Sequence, residues 1–428
     1  MCRAESIIQV LKNEMLVAMG CTEPAAAALA GNKAVELLGL PPERLTVYAS
    51  PEMIKNAMSV GIPNCEERGL LFAVCLGACS DNGAAGLSIL SRMRPGQSDE
   101  AVALAKKSRL ELAEGVDPVY VRVAAEGGGH SASAVVSEKH DHFSELIRDG
   151  RSVAPEFQKG AGPAADEDFS FLERMEIKDV LNFIAEVDVK DVAFVLDMAR
   201  TNLDLARYSI REHCGLRIAE TVLEGFPEQS TNLHEAMTKA AAYASAGSDA
   251  RMSGCARAVV INSGSGNQGI TCTVPLLVLA EYLASSDAQQ IKALCISELV
   301  GLLITARKGR LSALCGVLTA AIGAGCGMVH LMGGGLREMN LLVRNMVSNL
   351  SGMICDGAKN SCALKIYSSV EAAGLAARMA FKGQAPGAES GIVGADASES
   401  IDALMKLSHE GMADTNAAIL AMMLDKQR

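Results

Sequence analysis

Residues 311–336 contain no charged side chain, and this restricts the fold more than any other feature of the sequence. A charge-free segment of this length must be covered, either by a bilayer or by the rest of the protein. It has few large apolar side chains, however, and three consecutive glycines interrupt it at 333–335. We therefore interpret it as buried interior. The chain has 428 residues, of which 49% are hydrophobic, and this length predicts two or three domains.

The hydrophobic pattern changes its period along the chain. Residues 5–38 have the period of two helices, interrupted by a turn at 20–24. From residue 177 onward nearly every segment has helical period, with glycine-rich joints at 263–269 and 323–327. The elements predicted between these regions are a strand at 45–49, a helix at 70–79, a helix near 98–114 and strands at about 119–125, 131–137 and 141–147.

This pattern predicts an α+β protein, with a large α-helical C-terminal domain and a small α/β domain near the N-terminus. The helices of residues 1–42 carry Cys21 and are expected to pack on the helical domain. Residues 43–150 are predicted to form the small α/β domain, 151–175 a linker, and 176–428 the helical domain.

The charge balance and the cysteine content restrict the partners and the compartment. There are 39 basic and 50 acidic residues, which gives a net charge of -11, and no basic stripe offsets it. Nucleic acid and anionic membrane surfaces are therefore not expected as partners. The 13 cysteines are an odd number, and no signal peptide is recognised, so free thiols in the cytoplasm are expected rather than disulfides.

Three cysteines in the C-terminal half are candidates for a metal site. Cys355 and Cys362 flank a polar loop, and Cys315 precedes a glycine-rich helix. The gap of six residues between Cys355 and Cys362 is longer than the two to four residues typical of zinc fingers. Three soft thiolates on polar loops suit an iron–sulfur cubane with one iron left open. Spacing alone supports a cluster and simple packing of buried thiols equally.

A second candidate is the turn formed by Gly20, Cys21, Thr22, Glu23 and Pro24, which begins an Ala-rich helix. Thr22 can cap this helix, and Glu23 and Pro24 suit its first turn. A thiol at a helix N-terminus is expected to have a pKa below its ordinary value of roughly 8.5, which would allow Cys21 to act as a base or nucleophile. Taken alone, Cys21 is better explained by a plain turn before a helix.

The run Ser-Gly-Ser-Gly-Asn-Gln-Gly at 263–269 lets the backbone approach a ligand closely, and the helix after it offers N–H groups to an anion. It lacks the Gly-Lys-Ser/Thr of a P-loop, and its flanks are predicted to be helical, unlike those of a dinucleotide-binding turn. A small carboxylate is the preferred ligand, and a tight helix–helix joint is the alternative. Lys55 and Asn56, in the segment 51–63, are predicted to lie in a solvated loop after a strand.

These segments together resemble the L-cysteine desulfidase family, whose members are serine-dehydratase-like proteins related to the iron–sulfur L-serine dehydratases. The matching segments are GCTEPAA at 20–26, KNAMSVGIP at 55–63, SGSGNQGI at 263–270 and SGMICDGAKNSCALK at 351–365. They extend over nearly the whole chain, and the last two are long and specific. The likeness to the serine dehydratases themselves is confined to the C-terminal helical part and its cysteine framework.

The resemblance implies a [4Fe-4S] cluster held by Cys315, Cys355 and Cys362, with Cys326 as the alternative first ligand. The family places that ligand just before the Gly/Ala-rich helix, which favours Cys315. The resemblance also implies that Cys21 is the base or a transient ligand of the cluster. The serine dehydratases have a His before the matching Thr, where this chain has Cys21, and this departure favours a desulfidase.

The implied activity is an α,β-elimination that converts L-cysteine to pyruvate, ammonia and hydrogen sulfide. An L-serine dehydratase and a non-catalytic, cluster-bearing sensor are the alternatives. Lys359 joins Cys21 as an expected catalytic residue. The expected substrate-binding residues are Thr22, Glu23, Asn56, Ser263, Ser265, Asn267, Gln268 and Asn360. Pyridoxal phosphate is not expected. A small amino-acid substrate is the expected partner, with no nucleic acid and no membrane, and a homodimer is left open.

Overall fold

The computed structural model describes residues 3–153 and 170–426. It is 59% helical and 11% strand, which confirms the predicted α+β class. The helices are α1 (Arg3–Glu14), α2 (Thr22–Leu38), α3 (Pro51–Ala57), α4 (Leu70–Ala78), α5 (Gln97–Ala105), α6 (Phe171–Arg174), α7 (Ile177–Glu186), α8 (Phe194–Arg211), α9 (Ile218–Leu223), α10 (Leu233–Met252), α11 (Gly266–Tyr282), α12 (Asp287–Lys308), α13 (Gly316–Leu331), α14 (Leu336–Leu350), α15 (Cys362–Phe381), α16 (Ala397–Lys406) and α17 (Thr415–Asp425). The strands are β1 (Val17–Met19), β2 (Arg44–Ala49), β3 (Arg109–Leu112), β4 (Tyr120–Gly127), β5 (His130–Ser137), β6 (Phe143–Arg148), β7 (Arg151–Ser152) and β8 (Ala258–Val260).

Within the described residues, the larger sheet has the strand order β3–β2–β4–β5–β6–β7. β2 and β3 are parallel, and the other neighbouring strands are antiparallel. The helix predicted near 98–114 is wrong in its second half, because α5 ends at Ala105 and residues 109–112 form β3. There the free edge of β2 pairs with the chain, with Thr46 opposite Arg109, and this pairing outweighs local helical preference.

α2 packs on β4 and β5 on one side and on α4 on the other. Its alanines are buried, and two glycines bring α2 and α4 together. A Cβ on Gly31 would lie 2.3 Å from the carbonyl oxygen of Val74, and one on Gly77 would lie 2.0 Å from that of Ala28. Small side chains at such crossings explain how a chain with 4% aromatic residues packs densely.

The prediction that nearly every segment from residue 177 onward is helical is confirmed, apart from the short strand β8. The glycine-rich run at 323–327 was predicted to be a joint between helices. This prediction is wrong, because the run lies inside α13. A Cβ on Gly323 would lie 2.3 Å from the carbonyl oxygen of Ser297 in α12, so the glycine permits close packing of the two helices. α13 is almost entirely buried, as we inferred for residues 311–336.

Among the described residues, α12 is the one helix with the length and apolar composition needed to cross a membrane. In this structure, 78% of its most apolar window is buried inside the protein. A helix buried to this extent is typical of a protein core.

The predicted domain division, into 1–42, 43–150, 151–175 and 176–428, stays a prediction. Most of the predicted linker falls on residues 154–169, which lie outside the described residues. Buried apolar side chains from the sheet, from α2 and from the helical region belong to one continuous core.

β1 and β8 form a second, two-stranded antiparallel sheet, with Val17 opposite Val260. This pairing attaches the N-terminal segment to the helical region and places the start of α2 beside the loop at 263–269. The expectation that this loop has helical flanks is wrong on its N-terminal side, because β8 precedes it and only α11 follows. The edge of β1 has backbone N–H and C=O groups that need hydrogen-bond partners. A strand at 258–260 can pair with them, whereas a helix there could not.

Candidate active site

One cavity, with a volume of about 80 Å³, collects residues from well-separated segments of the chain. The sequence-predicted site residues that line it are Cys21, Glu23, Asn56, Ser263, Ser265, Asn267, Gln268, Cys315, Cys355 and Cys362. Thr22, Lys359 and Asn360 were also predicted, but they are not among the lining residues. Lys359 instead forms an ion pair with Asp356 at 2.7 Å, and its Nζ donates to the carbonyl oxygen of Asp356.

Four helices begin at residues of this cavity. Cys21, Ser265 and Cys315 are the N-cap residues of α2, α11 and α13, and Cys362 is the first residue of α15. The first turn of a helix has unpaired N–H groups and carries the positive end of the helix dipole. Four such ends around one cavity favour an anionic ligand, as the glycine-rich sequence at 263–269 predicts.

The loops that carry Cys315 and Cys355 are joined by an isolated antiparallel bridge between Leu314 and Ile354. The Cys315 N–H donates to the carbonyl oxygen of Met353 at 2.9 Å, and the Cys355 N–H donates to that of Ala313 at 2.7 Å. The bridge brings the two thiols, 40 positions apart in sequence, into hydrogen-bonding contact.

Cys362 completes this group of thiols and connects it to Cys21. Its Sγ lies 3.6 Å from the carbonyl oxygen of Gly357. Cys21 and Val60 are buried in a small apolar cluster separate from the main core, and Cys362 packs against that cluster. The four cysteine side chains predicted to act together therefore surround one space.

Two buried lysines lie beside the thiols. The Lys55 Nζ donates to the carbonyl oxygen of Cys355 at 3.0 Å and to Asn416 Oδ1 at 2.7 Å. A hydrogen bond from Cys315 lowers the pKa of Cys355 against the effect of its burial, and Lys55 lowers it further. The pKa of Cys315 is raised in turn, first by that hydrogen bond and then by burial. Burial lowers the pKa of Lys308 to about 8, although the two thiols oppose this shift.

The donor set fits an iron–sulfur cluster better than a single metal ion. Among the described residues, no three His, Cys, Asp or Glu side chains are placed to hold one ion. In a [4Fe-4S] cluster each cysteine ligates a different iron, so three thiols around a shared space are sufficient. Helix N-termini and buried lysines suit the negative charge of thiolate ligands. Cys326 is fully buried within α13 and does not line the cavity, which favours Cys315 as the first ligand.

Cys21 does not have the electrostatic environment that its helix position predicts. It is the N-cap of α2, as expected, but it is 2% exposed, and burial together with the Glu23 carboxylate raises its pKa well above the ordinary value. The expected low pKa is therefore wrong. Thr22 does not cap the helix either, since its hydroxyl donates to Glu23 Oε2 at 3.2 Å.

Glu23 is the acceptor for this part of the cavity. It accepts from the Cys21 thiol at 2.9 Å, from Thr22, and from Asn56 Nδ2 at 2.8 Å. Burial alone would raise the pKa of Glu23, but His140, the Cys21 hydrogen bond and Arg251 together hold it below the ordinary value. At neutral pH, Glu23 is therefore a carboxylate and Cys21 a protonated thiol.

The sequence predicted Lys55 and Asn56 in a solvated loop, and this prediction is wrong. They lie in α3, whose N-cap Ser50 accepts from the Met53 N–H at 3.2 Å, and they are 2% and 6% exposed. Pro51 suits the first position of this helix. The helix turns both polar side chains into the cavity, where they bond to Cys355 and Glu23.

Each glycine of the 263–269 loop is required by a different neighbour. A Cβ on Gly264 would lie 2.8 Å from His140 Nδ1, and one on Gly266 would lie 2.5 Å from Arg251 Nε. A Cβ on Gly269 would lie 2.0 Å from the carbonyl oxygen of Val260. The glycine spacing therefore reflects the approach of a histidine, an arginine and a strand to the loop.

Besides Lys55, four charged or titratable lining residues were missed or left unassigned by sequence reasoning: His140, Arg251, Lys308 and Arg310. Arg310 pairs with Glu14 through both guanidinium NH groups, at 3.1 and 2.7 Å, and Arg251 Nε donates to the carbonyl oxygen of Gly20 at 2.9 Å. None of the four stands in a recognisable motif. Lys55 and Gly264 also line the cavity, and both lie within segments that match the desulfidase family. The resemblance therefore indicated that these two residues belong to the site.

Buried thiols, a carboxylate and several helix N-termini surround one cavity, and the comparison with known families indicates a lyase-type enzyme of the serine dehydratase kind. The model of the serine dehydratase alpha chain matches residues 84–421. The protein belongs to the serine dehydratase alpha chain family. We expected the likeness to the serine dehydratases to be confined to the C-terminal helical part. This is wrong, because the match begins ahead of β3 and includes most of the sheet.

Relatives of similar length match the chain from end to end. The UPF0597 protein of Oleidesulfovibrio alaskensis is 36% identical over 425 residues, which cover 98% of each chain. A UPF0597 protein of Bacteroides fragilis is 37% identical over 425 residues, 99% of this chain and 98% of the relative. That of Aeromonas hydrophila is 35% identical over 426 residues, 98% and 96% of the two chains. The predicted resemblance to serine-dehydratase-like proteins is confirmed.

Proposed function

We propose that this protein is an iron–sulfur-dependent lyase that eliminates the β-substituent of a small L-amino acid. L-Cysteine is the proposed substrate, and pyruvate, ammonia and hydrogen sulfide are the products. The observation that carries the proposal is the convergence of Cys315, Cys355 and Cys362 on the cavity that also contains Cys21 and Glu23. Membership of the serine dehydratase alpha chain family supports the reaction class.

Cys315, Cys355 and Cys362 would hold the [4Fe-4S] cluster. When bound, the cluster supplies a Lewis-acidic iron that can withdraw electrons from the leaving group. The chain contributes the environment of this group: the bridge between Leu314 and Ile354 fixes the spacing of two ligands, and buried lysine side chains compensate thiolate charge.

The remaining lining residues match a zwitterionic amino acid. The Glu23 carboxylate attracts the substrate ammonium group, and Asn56 Oδ1, which has no hydrogen-bond partner among the described residues, can accept from it. The first turn of α11 and the guanidinium of Arg251 attract the substrate carboxylate. Opposite charges within one cavity orient the substrate and exclude ligands that have only one of the two groups.

Cys21 serves this reaction as a protonated thiol. It donates to Glu23 at 2.9 Å, and its raised pKa keeps the proton on sulfur at neutral pH. In this state it fixes one Glu23 oxygen and leaves the carboxylate oriented for the substrate. The predicted role of Cys21 as the base requires the loss of this proton, and the structure makes that loss unfavourable.

Cysteine and serine differ in the group that leaves from Cβ. A soft sulfur leaving group suits iron in a sulfide cluster better than a hard hydroxyl group does. The Cys21 position, where the serine dehydratases have a His, supports the same choice. The family description names serine, however, and this favours L-serine as the second candidate substrate.

The test is anaerobic purification, with iron and acid-labile sulfide quantified, followed by pyruvate assays with L-cysteine and L-serine in parallel. Both substrates are assayed with protein of the same iron content. We expect the larger kcat/KM for L-cysteine, with sulfide and pyruvate released in equal amounts. A larger kcat/KM for L-serine would support the second candidate. An iron-loaded protein that forms no pyruvate from either amino acid would contradict the proposal.

A further inference from the structure

His140 lies in the cavity and takes no part in the proposed binding of cluster or substrate. It belongs to the connection between β5 and β6, is 4% exposed and lines the cavity together with Cys21 and Glu23. Neither ring nitrogen has a hydrogen-bond partner among the described residues. A buried polar group without a partner is unfavourable and uncommon, so the bare ring nitrogens indicate a partner supplied by a ligand.

The surroundings of the ring are built to admit it. Gly264 has φ +79°, and a Cβ there would lie 2.8 Å from His140 Nδ1 and 3.1 Å from its Cε1. The glycine-rich loop therefore accommodates the imidazole directly beside the first turn of α11, where the proposed substrate carboxylate binds. His140, Glu23 and the residues at the N-terminus of α11 line the same cavity, so one small molecule bound there can contact all of them.

Four charged groups act on His140: Glu23, Asp141, Arg310 and Arg251. Glu23 of α2 and the adjacent Asp141 favour the protonated ring, and Arg310 and Arg251 disfavour it. Burial has the largest effect and lowers the pKa of His140 below its ordinary value. At neutral pH the ring is therefore uncharged, and one of its nitrogens has a lone pair available to accept a proton.

The other candidate bases in the cavity are already occupied. Glu23 accepts three hydrogen bonds, from Cys21, Thr22 and Asn56. The Cys21 thiol keeps its proton. Lys308 donates to the carbonyl oxygen of Gly309 at 2.8 Å. His140 is thus a neutral base whose ring nitrogens have no hydrogen-bond partner among the described residues.

We propose that His140 is the catalytic base that removes the α-proton of the amino-acid substrate, an assignment that rests on the proposed elimination. The proton passes from Cα to a ring nitrogen, and the electron pair of the Cα–H bond forms the Cα–Cβ double bond. The Cβ–leaving-group bond breaks with its electron pair going to the leaving group, which takes up the proton from the imidazolium. The enamine product then reacts with water to give pyruvate and ammonia, so the ring is regenerated without an added oxidant or reductant.

The experiment compares His140→Gln with the control His142→Gln under anaerobic conditions. His142 is two residues away in the same connection, but its Nδ1 lies 3.1 Å from the carbonyl oxygen of Ser137, and it does not line the cavity. We expect His140→Gln to keep its iron and sulfide content and to lose roughly 10²–10⁴-fold in kcat, with little change in KM. The control should match the wild type.

A structural role for His140 would not change the isotope effect or the pH profile. With α-deuterated substrate, we expect a larger primary isotope effect on kcat in His140→Gln than in the wild type, because proton removal becomes slower. The wild-type kcat should fall as pH decreases through a pKa below roughly 6.5, since the base must be neutral, and the variant should lack this acidic limb.

The outcomes separate the two proposals. An active wild type with a His140→Gln variant of equal kcat and equal isotope effect overturns the His140 assignment alone. A wild type that forms no pyruvate overturns the proposed function and the assignment together. If His140→Gln does not retain iron, His140→Asn replaces it, and a wild-type pH profile without an acidic limb then counts against the assignment.

Discussion

The cavity contains two groups of residues with different electrostatic character. The thiol group consists of Cys315, Cys355 and Cys362 with the lysines beside them, and the acid group consists of Cys21, Glu23, His140 and Arg251. In the thiol group, the hydrogen bond from Cys315 and the charge of Lys55 lower the pKa of Cys355, whereas the pKa values of Cys315 and Cys362 are raised. In the acid group, burial and a carboxylate raise the pKa of Cys21. Cys355 and Cys21 thus differ in protonation because of their neighbours.

This difference shows how one cavity can separate the functions of its cysteines. A thiolate is the form that ligates iron, and a thiol is the form that donates a hydrogen bond. The thiol group, in which Cys355 is held closest to the thiolate form, therefore suits a cofactor, and the acid group suits the charges and the proton of a substrate. The next three experiments test this separation, and a fourth tests the packing of helices away from the cavity.

The largest effect is expected from Cys355→Ala. Loss of one of three ligands should remove the cluster and abolish pyruvate formation, because Cys355 is the thiol held closest to the anionic state. Iron and sulfide analysis measures this directly. Cys326→Ala is the matched control, since Cys326 is buried in α13 but does not line the cavity, and it should retain both iron and activity. A Cys355→Ala protein with full iron content and turnover would contradict the assignment.

Glu23→Gln should reduce kcat/KM by roughly 10–100-fold, because a hydrogen bond to a charged group contributes about 1.5–3 kcal/mol. The neutral amide removes the charge that attracts the substrate ammonium group, and iron content should not change. Kinetics with L-cysteine and L-serine provide the measurement. Glu52→Gln offers a control carboxylate on α3, and unchanged kinetics in Glu23→Gln would remove Glu23 from the account.

Cys21 should be alkylated slowly by iodoacetamide near neutral pH, since its pKa is raised by burial and by Glu23. As the pH rises toward that pKa, the thiolate fraction and the alkylation rate should increase. In Glu23→Gln the rate at a fixed pH should be higher, because one cause of the raised pKa is gone. Mass spectrometry of the Cys21 peptide measures these rates, and rapid alkylation at pH 7 in the wild type would show that the thiol is not protonated.

The smallest effect concerns packing away from the cavity. Gly31→Ala introduces a Cβ 2.3 Å from the Val74 carbonyl oxygen and should destabilise the crossing of α2 and α4 by about 1–3 kcal/mol. Gly352→Ala meets no atom within 4 Å and should change stability by less than about 0.5 kcal/mol. Thermal unfolding of the two variants measures the difference. Equal midpoints would show that the close crossing tolerates a methyl group.

The sequence predicts most of the fold because hydrophobic period and glycine position are local signals. The helices from residue 177 and the strands of the sheet follow from them. β3 could not be predicted in this way, because its conformation depends on pairing with the distant strand β2. The buried helix α3 was mistaken for a loop, since its polar Lys55 and Asn56 have partners only in the assembled cavity.

The site divides in the same way. The positions of the three thiols follow from spacing and resemblance, and they lie together in the structure. Lys359 was expected there because it lies between Cys355 and Cys362, but its ion pair with Asp356 holds it elsewhere. His140 carries no sequence signal, since it reaches the cavity only through the connection between β5 and β6.

The most direct test of the central claim, that the three converging thiols hold a cluster with one open iron, is Mössbauer spectroscopy of ⁵⁷Fe-labelled, anaerobically purified protein. We expect the spectrum of a [4Fe-4S] cluster in which the signal of one iron changes when L-cysteine is added, while the other three stay the same. A protein that turns over L-cysteine with no cluster signal, or with no iron affected by the substrate, would contradict the account.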